Sequence, residues 1–309
     1  MRNTGWVFLA GLVVLLAGSL FAGEAVAKKK ILFLHGKASH GYGGHAYPAG
    51  FKRLAMILNK NVPTLEAVVV GDKWPSEEQL KGATAIMLGS DGGMLVKKYA
   101  EKLAPLMEKG MGLGAIHYTV DPATKEAVQN LIKWIGGSYE RHWSVNPHWE
   151  ADFKTFPDHP VARGLKPFKL HDEWYYHMRF AEGMKGVTSI LQAIPPESTR
   201  NKKFGAHSGN PTVKSRKGMN ETVAWTYERP NGGRGFGFTG YHMHWTLAQD
   251  SFRTCLLNAC VWIAGAEVPE GGVPSKRPTL EELESDLGMP RPKKFNAEAT
   301  KKKIEEMNK

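Results

Sequence analysis

"KKKILFLHGK", residues 28–37, is the segment that decides the fold. Four apolar residues, 31–34, follow three lysines and end at His35 and Gly36. A run that is apolar at every position, rather than at every second one, predicts a strand buried on both faces, as in a parallel sheet covered by helices. A polar, glycine-rich loop and a helical spacing of apolar residues over 51–58 complete the first β-α unit.

The alternation of strands and helices continues through the first half of the chain. Further strands are predicted over 65–70, 83–88 and 112–116, and further helices over 99–107 and 123–135. In the second half the extended segments are 149–153, 168–179, 187–194, 222–227 and 235–242, before an apolar helix over 252–264. We therefore expect an α/β fold with a largely parallel central sheet and additional strands in the second half.

The two ends of the chain differ from this domain. Arg2, an apolar run over 6–22 and the small residues 25–27 predict a signal peptide that is cleaved after Ala27. The protein would then be periplasmic or otherwise exported, with no stable membrane insertion; an uncleaved anchor is the alternative. Residues 276–309 are charged and show no clear apolar stripe, so we expect a mobile or surface-draped tail. The domain itself would cover 28–275.

Composition limits the partners. The formal net charge is +11, but the basic residues are scattered and follow no aromatic-interleaved stripe, so no nucleic acid partner is expected. The cysteines, Cys255 and Cys260, lie five apart in one predicted helix and point about 140° away from each other, which excludes a disulfide between them. Homo-oligomerisation stays open.

Polar side chains follow several of the predicted strands. Open parallel sheets bind ligands beyond the carboxyl ends of their strands. The residues at such ends are His35, His40, His45, Asp91, His117, His242 and His244. In "TGYHMHW", residues 239–245, a spacing of two places His242 and His244 on one face if the backbone is extended. Either they share a pocket, or they form a polar strand terminus.

The segment "HDEWYYHMRF", residues 171–180, carries a second set of candidates. Alternation would place His171, Glu173, Tyr175, His177 and Arg179 on one face of a strand. Glu173 could act as a general base or a metal ligand beside the histidines, and the aromatic rings could stack on sugars. A solvent-facing strand with charge pairs is the alternative. The Trp- and His-rich segment 136–153 either packs locally or lines a pocket.

Two motif tests exclude familiar chemistry. In "GLGAIHYTVD", His117 stands before Tyr118 at a strand-to-helix turn where a nucleophile elbow has serine or cysteine, so acyl transfer of that type is excluded. Residues 41–46 fit G-x-G-x-x-A formally, but the glycines begin seven residues after Leu34 instead of in the tight first turn. No NAD is expected.

These segments together resemble the ThuA-like (trehalose-utilisation) family over about residues 30–275. The resemblance rests on "GKASHGYGGHAYPAGFKRLAMILN", "GLGAIHYTVD", "IGGSYERHWSVNPHWEADF", "DHPVARGLKPFKLHDEWYYHMRF" and "GRGFGFTGYHMHWTLAQDSFRTCLLNACVWIAG". It implies the class I glutamine amidotransferase-like fold, a flavodoxin-like three-layer sandwich. The family's motif positions fall on His40, His45, His117, Asp172, Glu173, Tyr175, Tyr176, Gly240 and His242. Since His117 replaces the amidotransferase cysteine, glutaminase activity is not implied.

The resemblance implies a role in carbohydrate catabolism, on sugars or 3-keto-glycosides. We expect a lyase, hydrolase or isomerase with His117, Glu173 and His242 as catalytic residues. Substrate-binding residues would be His40, His45, Asp91, Tyr118, Tyr175, His177 and Trp245. A divalent metal such as zinc would be held by His117, His242 and His244. The alternative is a non-catalytic carbohydrate-binding protein that uses aromatic rings for stacking and the histidines as hydrogen-bond donors.

Overall fold

The computed structural model of the chain describes Met1 and residues 28–309, so the predicted signal peptide lies outside the described residues. The strands are β1 (Lys29–His35), β2 (Leu65–Gly71), β3 (Ala83–Gly89), β4 (Gly112–Ile116), β5 (Gly137–Ser138), β6 (His148–Phe153), β7 (Phe168–Glu173), β8 (Arg179–Phe180), β9 (Val187–Ala193), β10 (Glu221–Glu228) and β11 (Arg234–Phe238). The α-helices are α1 (Tyr47–Asn61), α2 (Glu77–Leu80), α3 (Met94–Lys98), α4 (Ala100–Glu108), α5 (Lys125–Ile135), α6 (Pro211–Ser215), α7 (Asp250–Ile263), α8 (Leu280–Leu287) and α9 (Ala297–Glu306).

The central sheet has seven strands in the order β2-β1-β3-β4-β11-β10-β9. The first five are mutually parallel, while β10 runs antiparallel to both β11 and β9. The predicted α/β fold, largely parallel with extra strands in the second half, is confirmed. The chain leaves β1 towards β2 and then returns to β3 on the other side of β1. This reversal opens a crevice beyond the carboxyl ends of β1 and β3, where ligands bind in such sheets.

Strand β1 explains why the opening segment is apolar at every position. Ile31 and Phe33 face the core under α1 and α7, whereas Leu32 and Leu34 face the core under α3, α4 and α5. All four side chains have no exposed surface. Full burial of each stabilises the fold by about 1.5–3 kcal/mol. The sheet is thus the middle layer of three. Because helices cover both of its faces, a ligand can approach it at the strand ends.

Helix α7 is the apolar helix predicted over 252–264, and it is buried against the sheet. Cys255 and Cys260 lie on it as free, buried thiols. Burial raises the pKa of both thiols, so they stay protonated and act as small apolar core residues. Within the described residues, none of the helices combines the length and the apolar character needed to cross a bilayer.

The start of β4 packs tightly against the end of α7. A Cβ atom on Gly112 would lie 2.0 Å from the carbonyl oxygen of Ile263. Because backbone cannot move aside as a side chain can, we expect Gly112→Ala to lower the free energy of unfolding by about 3 kcal/mol. Urea denaturation measures this, with Gly271→Ala as control, since a Cβ there meets nothing within 4 Å. Equal unfolding midpoints for the two variants would contradict the packing described.

The C-terminal segment, expected to be a mobile or surface-draped tail, contains two helices. Helices α8 and α9 lie on the domain and bury Leu280, Leu283 and Ile304. Asp286 on α8 forms an ion pair with Arg53 on α1. The apolar stripe of α8 is only two turns long and lies among charged residues. Its three-residue spacing is therefore too short to predict a helix from the sequence.

Two predicted strands end earlier than their alternation suggested, β7 at Glu173 and β11 at Phe238. The carboxylate of Asp172 accepts hydrogen bonds from the backbone N–H of Glu173 (2.8 Å), Tyr241 (2.7 Å) and His242 (3.1 Å). These bonds join the ends of the two segments and turn both chains out of the extended conformation. Side chains beyond these points therefore no longer alternate between two faces.

Candidate metal centre

Four side chains from separate parts of the chain meet at the carboxyl ends of the strands: His45, His117, Glu173 and His242. Their candidate ligand atoms all lie within 4.8 Å of one another. His45 Nε2 is 3.0 Å from His117 Nε2 and 3.1 Å from His242 Nδ1. Glu173 Oε2 is 2.9 Å from His242 Nδ1 and 3.5 Å from His117 Nε2. Three imidazole nitrogens and one carboxylate oxygen thus surround a single point.

Backbone geometry holds two of these histidines in place. His45 precedes α1 with φ of 38°, and His117 follows β4 with φ of 50°, a left-handed conformation uncommon for residues other than glycine. Such strain persists only where the surrounding structure imposes it, and it is concentrated at functional sites. The backbone N–H of His45 also donates to the carbonyl of His242 (2.8 Å), which ties the first loop to the last.

Hydrogen bonds outside the cluster fix the protons on two of the rings. His45 Nδ1 lies 2.7 Å from Asp91 Oδ1, and His117 Nδ1 lies 2.8 Å from the carbonyl oxygen of Thr239. Both partners are acceptors, so each Nδ1 must donate, and each neutral ring then presents an unprotonated Nε2.

The two Nε2 lone pairs therefore face each other at 3.0 Å. Burial lowers the pKa of His117 well below its usual range, and the charge of His45 lowers it further, so a second proton on that ring is disfavoured. A cation between the two nitrogens would turn this repulsion into attraction.

The distances also fit a small metal ion. Four ligands at 2.0–2.1 Å from a tetrahedral zinc lie about 3.3 Å from one another. Of the six pairs of candidate ligand atoms, the four given above are separated by 2.9–3.5 Å, and all six lie within 4.8 Å. Imidazole nitrogen with one carboxylate oxygen is a donor set typical of zinc and similar transition metals.

Glu173 is oriented by its neighbours. Asn146 Nδ2 donates to Oε1 at 3.1 Å, which leaves Oε2 directed at the nitrogens. Burial by itself lowers the pKa of His242, but its hydrogen bond to Glu173 and the charge of that carboxylate outweigh burial, so the pKa is raised. Glu173 is therefore placed either to complete the ligand set or to exchange protons with a group at the fourth position.

Most of the residues predicted to bind substrate surround this cluster. The ring of His40 stacks on that of His45 at 3.8 Å, and its side chain is 47% exposed. The ring of Tyr118 is 5.8 Å from His45, and that of Tyr175 is 5.0 Å from His117. His45, which the sequence suggested for substrate binding, lies inside the cluster itself.

His244 lies outside it. Its Nδ1 is 2.9 Å from the hydroxyl of Tyr241, and its Nε2 is 3.4 Å from Asp286 Oδ2 on α8. The two-residue spacing requires an extended backbone, but β11 ends at Phe238, the chain bends at His242, and a short helical turn begins at His244. The structure thus brings His117 and His242 together with His45, and not with His244.

Two further predicted residues also point elsewhere. His177, with φ of 58°, hydrogen-bonds Thr212 Oγ1 at 3.1 Å and stacks on Trp143 with ring centres 4.4 Å apart. Trp245 packs against the rings of Tyr42 and Phe295 at 5.7 and 5.5 Å. It is buried and lines a separate cavity of about 940 Å³ under α9.

Asn146 and His148 belong to the Trp- and His-rich segment 136–153, for which the sequence left local packing and pocket lining open, and neither was assigned a role. The ring of His148 meets that of His242 edge to face at 4.8 Å. Part of this segment packs, as Trp149 does in the core, and part lines the site. The number of nitrogen-bearing side chains in this short segment was the feature of the sequence that indicated a site.

The sequence profile of the ThuA family, described as trehalose utilisation, matches residues 30–263. The chain belongs to the ThuA family. This confirms the resemblance seen in the sequence, and the fold of this ThuA-family member recurs in a solved structure. A ThuA-like protein from Parabacteroides merdae is 16% identical, covering 78% of this chain and 92% of its own, with a TM-score of 0.51. One from Bacteroides uniformis is 17% identical, covering 78% and 94%, with a TM-score of 0.49. None of the curated proteins matches the chain.

Asp91 should affect zinc binding at this candidate centre through its hydrogen bond to His45. Asp91→Asn weakens the acceptor that fixes the proton on His45 Nδ1, and we expect zinc affinity to fall by about 10–100-fold. A competition titration with a chromophoric chelator measures the change, and the exposed Asp158→Asn serves as control. Unchanged affinity in Asp91→Asn would show that this hydrogen bond does not orient the ligand.

Proposed function

We propose that this ThuA-family protein is a metal-assisted enzyme of carbohydrate catabolism, a lyase, hydrolase or isomerase that acts on glycosides or 3-keto-glycosides. The observation that carries the proposal is the pair of buried imidazoles whose lone pairs face each other at 3.0 Å, with a carboxylate beside them. The family's relation to trehalose utilisation supports a sugar as the substrate class.

In this proposal His45, His117 and His242 hold the ion. When bound, zinc or a similar ion would stabilise negative charge that develops on a substrate oxygen. The three rings contribute neutral nitrogen ligands, and the hydrogen bonds to Asp91 and Thr239 keep two of them in the ligating tautomer. None of the three is then free to act as a general base.

Glu173 is the group that moves a proton. A ketone at C3 acidifies the neighbouring C–H bonds of a sugar ring, and the Oε2 atom of Glu173 would take a proton from such a carbon or from a water molecule. The carboxylic acid that results can return the proton to the leaving oxygen or to another ring carbon. Asn146, bound to Oε1, keeps Oε2 directed at the reacting atoms.

The centre lies just beneath the surface, which suits a small polar substrate. The side chains of Glu173 and His242 are 13% and 16% exposed, and the exposed His40 and His148 stand beside them. Tyr118 is half-buried next to His45 and offers a ring face to a sugar.

Turnover tests the proposal directly. Zinc-loaded protein is incubated with methyl glucosides, trehalose and their 3-keto derivatives, with and without a chelator, and the products are followed by mass spectrometry. We expect product from at least one compound, and none after chelation. Sugar binding with no product from any compound would reject the enzyme and favour the carbohydrate-binding protein.

Export is part of the proposal, because the segment before the domain has the composition of a cleaved signal peptide. N-terminal sequencing of protein recovered from the periplasmic fraction should give a chain that starts at Lys28. A chain that starts at Met1 and remains in the cytoplasmic fraction would contradict export.

A further inference from the structure

A buried carboxylate without a hydrogen-bond partner lies close to the metal centre. The side chain of Asp121 is 1% exposed, and within the described residues neither of its oxygens accepts a hydrogen bond. Arg141 Nε is 3.9 Å from Oδ1, and His207 Nδ1 is 3.6 Å from Oδ2, both beyond hydrogen-bond length. His207 Nδ1 is instead 3.0 Å from the hydroxyl of Tyr139.

The position of Asp121 links it to the centre. It directly follows the short helical turn that begins at His117. Aromatic rings connect the two places, from His117 to Tyr175 (5.0 Å), then to Tyr139 (5.6 Å), then to His207 (5.5 Å). The charge of Glu173 also contributes to the raised pKa of Asp121, so the two carboxylates lie close enough to interact.

A buried carboxylate without a hydrogen bond is costly, because it has lost its water shell and gained no hydrogen-bond donor in return. Burial raises the pKa of Asp121 to about 7, even though the charge of Arg141 opposes the rise. A group of this kind destabilises the folded chain at neutral pH. Such a group is explained where a ligand supplies the missing donors.

The residues over Asp121 indicate which ligand would do so. The side chains of Arg141 and His207 are 42% and 34% exposed, so they lie at the surface and a ligand reaches the carboxylate by displacing them. The carboxylate disfavours an anion, and Arg141 disfavours a cation. A neutral molecule with hydroxyl groups fits, since hydroxyls can donate to Asp121 and accept from Arg141 and His207.

We propose that Asp121, Arg141 and His207 form a hydroxyl-binding subsite, in which the carboxylate accepts hydrogen bonds from two adjacent hydroxyls of a glycoside whose reacting ring lies at the metal centre. The inference rests on the proposed function, and it adds that the substrate carries hydroxyls beyond the reacting atoms. Asp121 is here a specificity-determining residue, which binds substrate and exchanges no proton.

Asp121→Asn tests the subsite, because the amide keeps the shape and removes the charge. Since the folded state carries the ionised carboxylate at a cost above pH 7, the variant should raise Tm at pH 8 by roughly 2–6 °C. It should weaken trehalose binding to the zinc-loaded protein at least about tenfold, as measured by calorimetry. Asp158→Asn, exposed and outside the site, should change neither quantity.

Arg141→Ala provides a second test that does not disturb the core, and we expect trehalose affinity to fall about three- to tenfold. A lower Tm for Asp121→Asn, unchanged trehalose affinity in both variants, or no trehalose binding by the wild-type chain would each overturn the subsite. Zinc content separates this result from the proposed function. If the wild-type chain binds zinc and both variants bind trehalose as the wild type does, the subsite alone is rejected. If the variants weaken trehalose binding but the chain takes up no zinc, the metal-assisted enzyme alone is rejected.

Discussion

His117→Ala is expected to reduce the zinc content of the purified protein from about one ion per chain to less than about 0.1. The variant removes one of the three proposed nitrogen ligands, and a direct ligand contributes more than the outer partners, whose loss costs about 10–100-fold in affinity. His117 is fully buried, and the other members of the cluster are His45, Glu173 and His242, so the described residues offer no further nitrogen at this position. Plasma mass spectrometry of dialysed protein measures the zinc content.

Two histidine variants serve as comparisons. His171→Ala removes an exposed imidazole and should leave zinc at about one ion per chain. His244→Ala should also retain zinc, since both of its ring nitrogens contact Tyr241 and Asp286. Loss of zinc from His244→Ala together with retention in His117→Ala would show that the ion binds on the other side of the Tyr241 turn.

Glu173→Gln is expected to abolish turnover while the metal stays bound. The amide has the size of the carboxylate and can still accept the hydrogen bond from Asn146, but it cannot take up a proton. Loss of a general base costs about 10²–10⁴-fold in rate, whereas zinc affinity should change by no more than about tenfold. Rates on whichever glycoside the wild-type chain converts, set beside zinc titrations of both proteins, measure the two effects separately.

The outcome for Glu173→Gln also distinguishes two kinds of centre. If zinc is lost as in His117→Ala, Glu173 is the fourth ligand, and the site is closed in the manner of structural zinc sites. If turnover is unchanged, another group carries the proton. Retained zinc with lost turnover is the combination expected of an open, catalytic centre.

The fold follows from local patterns in the sequence. The apolar runs of β1 and β3 predict strands that are buried on both faces. The structure agrees, since helices cover both faces of the sheet. Once the sheet is parallel, its carboxyl ends lie at one edge, so the approach of His45, Asp91, His117 and His242 follows from topology without any knowledge of side-chain contacts.

The ligand set could not be predicted in the same way. The choice of His45 over His244 depends on how the chain leaves the extended conformation after β11. There the backbone N–H groups of Tyr241 and His242 donate to Asp172, about 70 residues earlier in the sequence. The lack of a hydrogen-bond partner for Asp121 could not be predicted either, because it depends on the distances between side chains in the folded protein.

The central claim is that a cation binds between His45 and His117. Diffraction from crystals of zinc-loaded protein at the zinc absorption edge would locate the ion directly. We expect one strong anomalous peak at about 2.0–2.3 Å from His45 Nε2, His117 Nε2 and His242 Nδ1. Anomalous density that appears only elsewhere, with the rings of His45 and His117 rotated to hydrogen-bond each other, would contradict it.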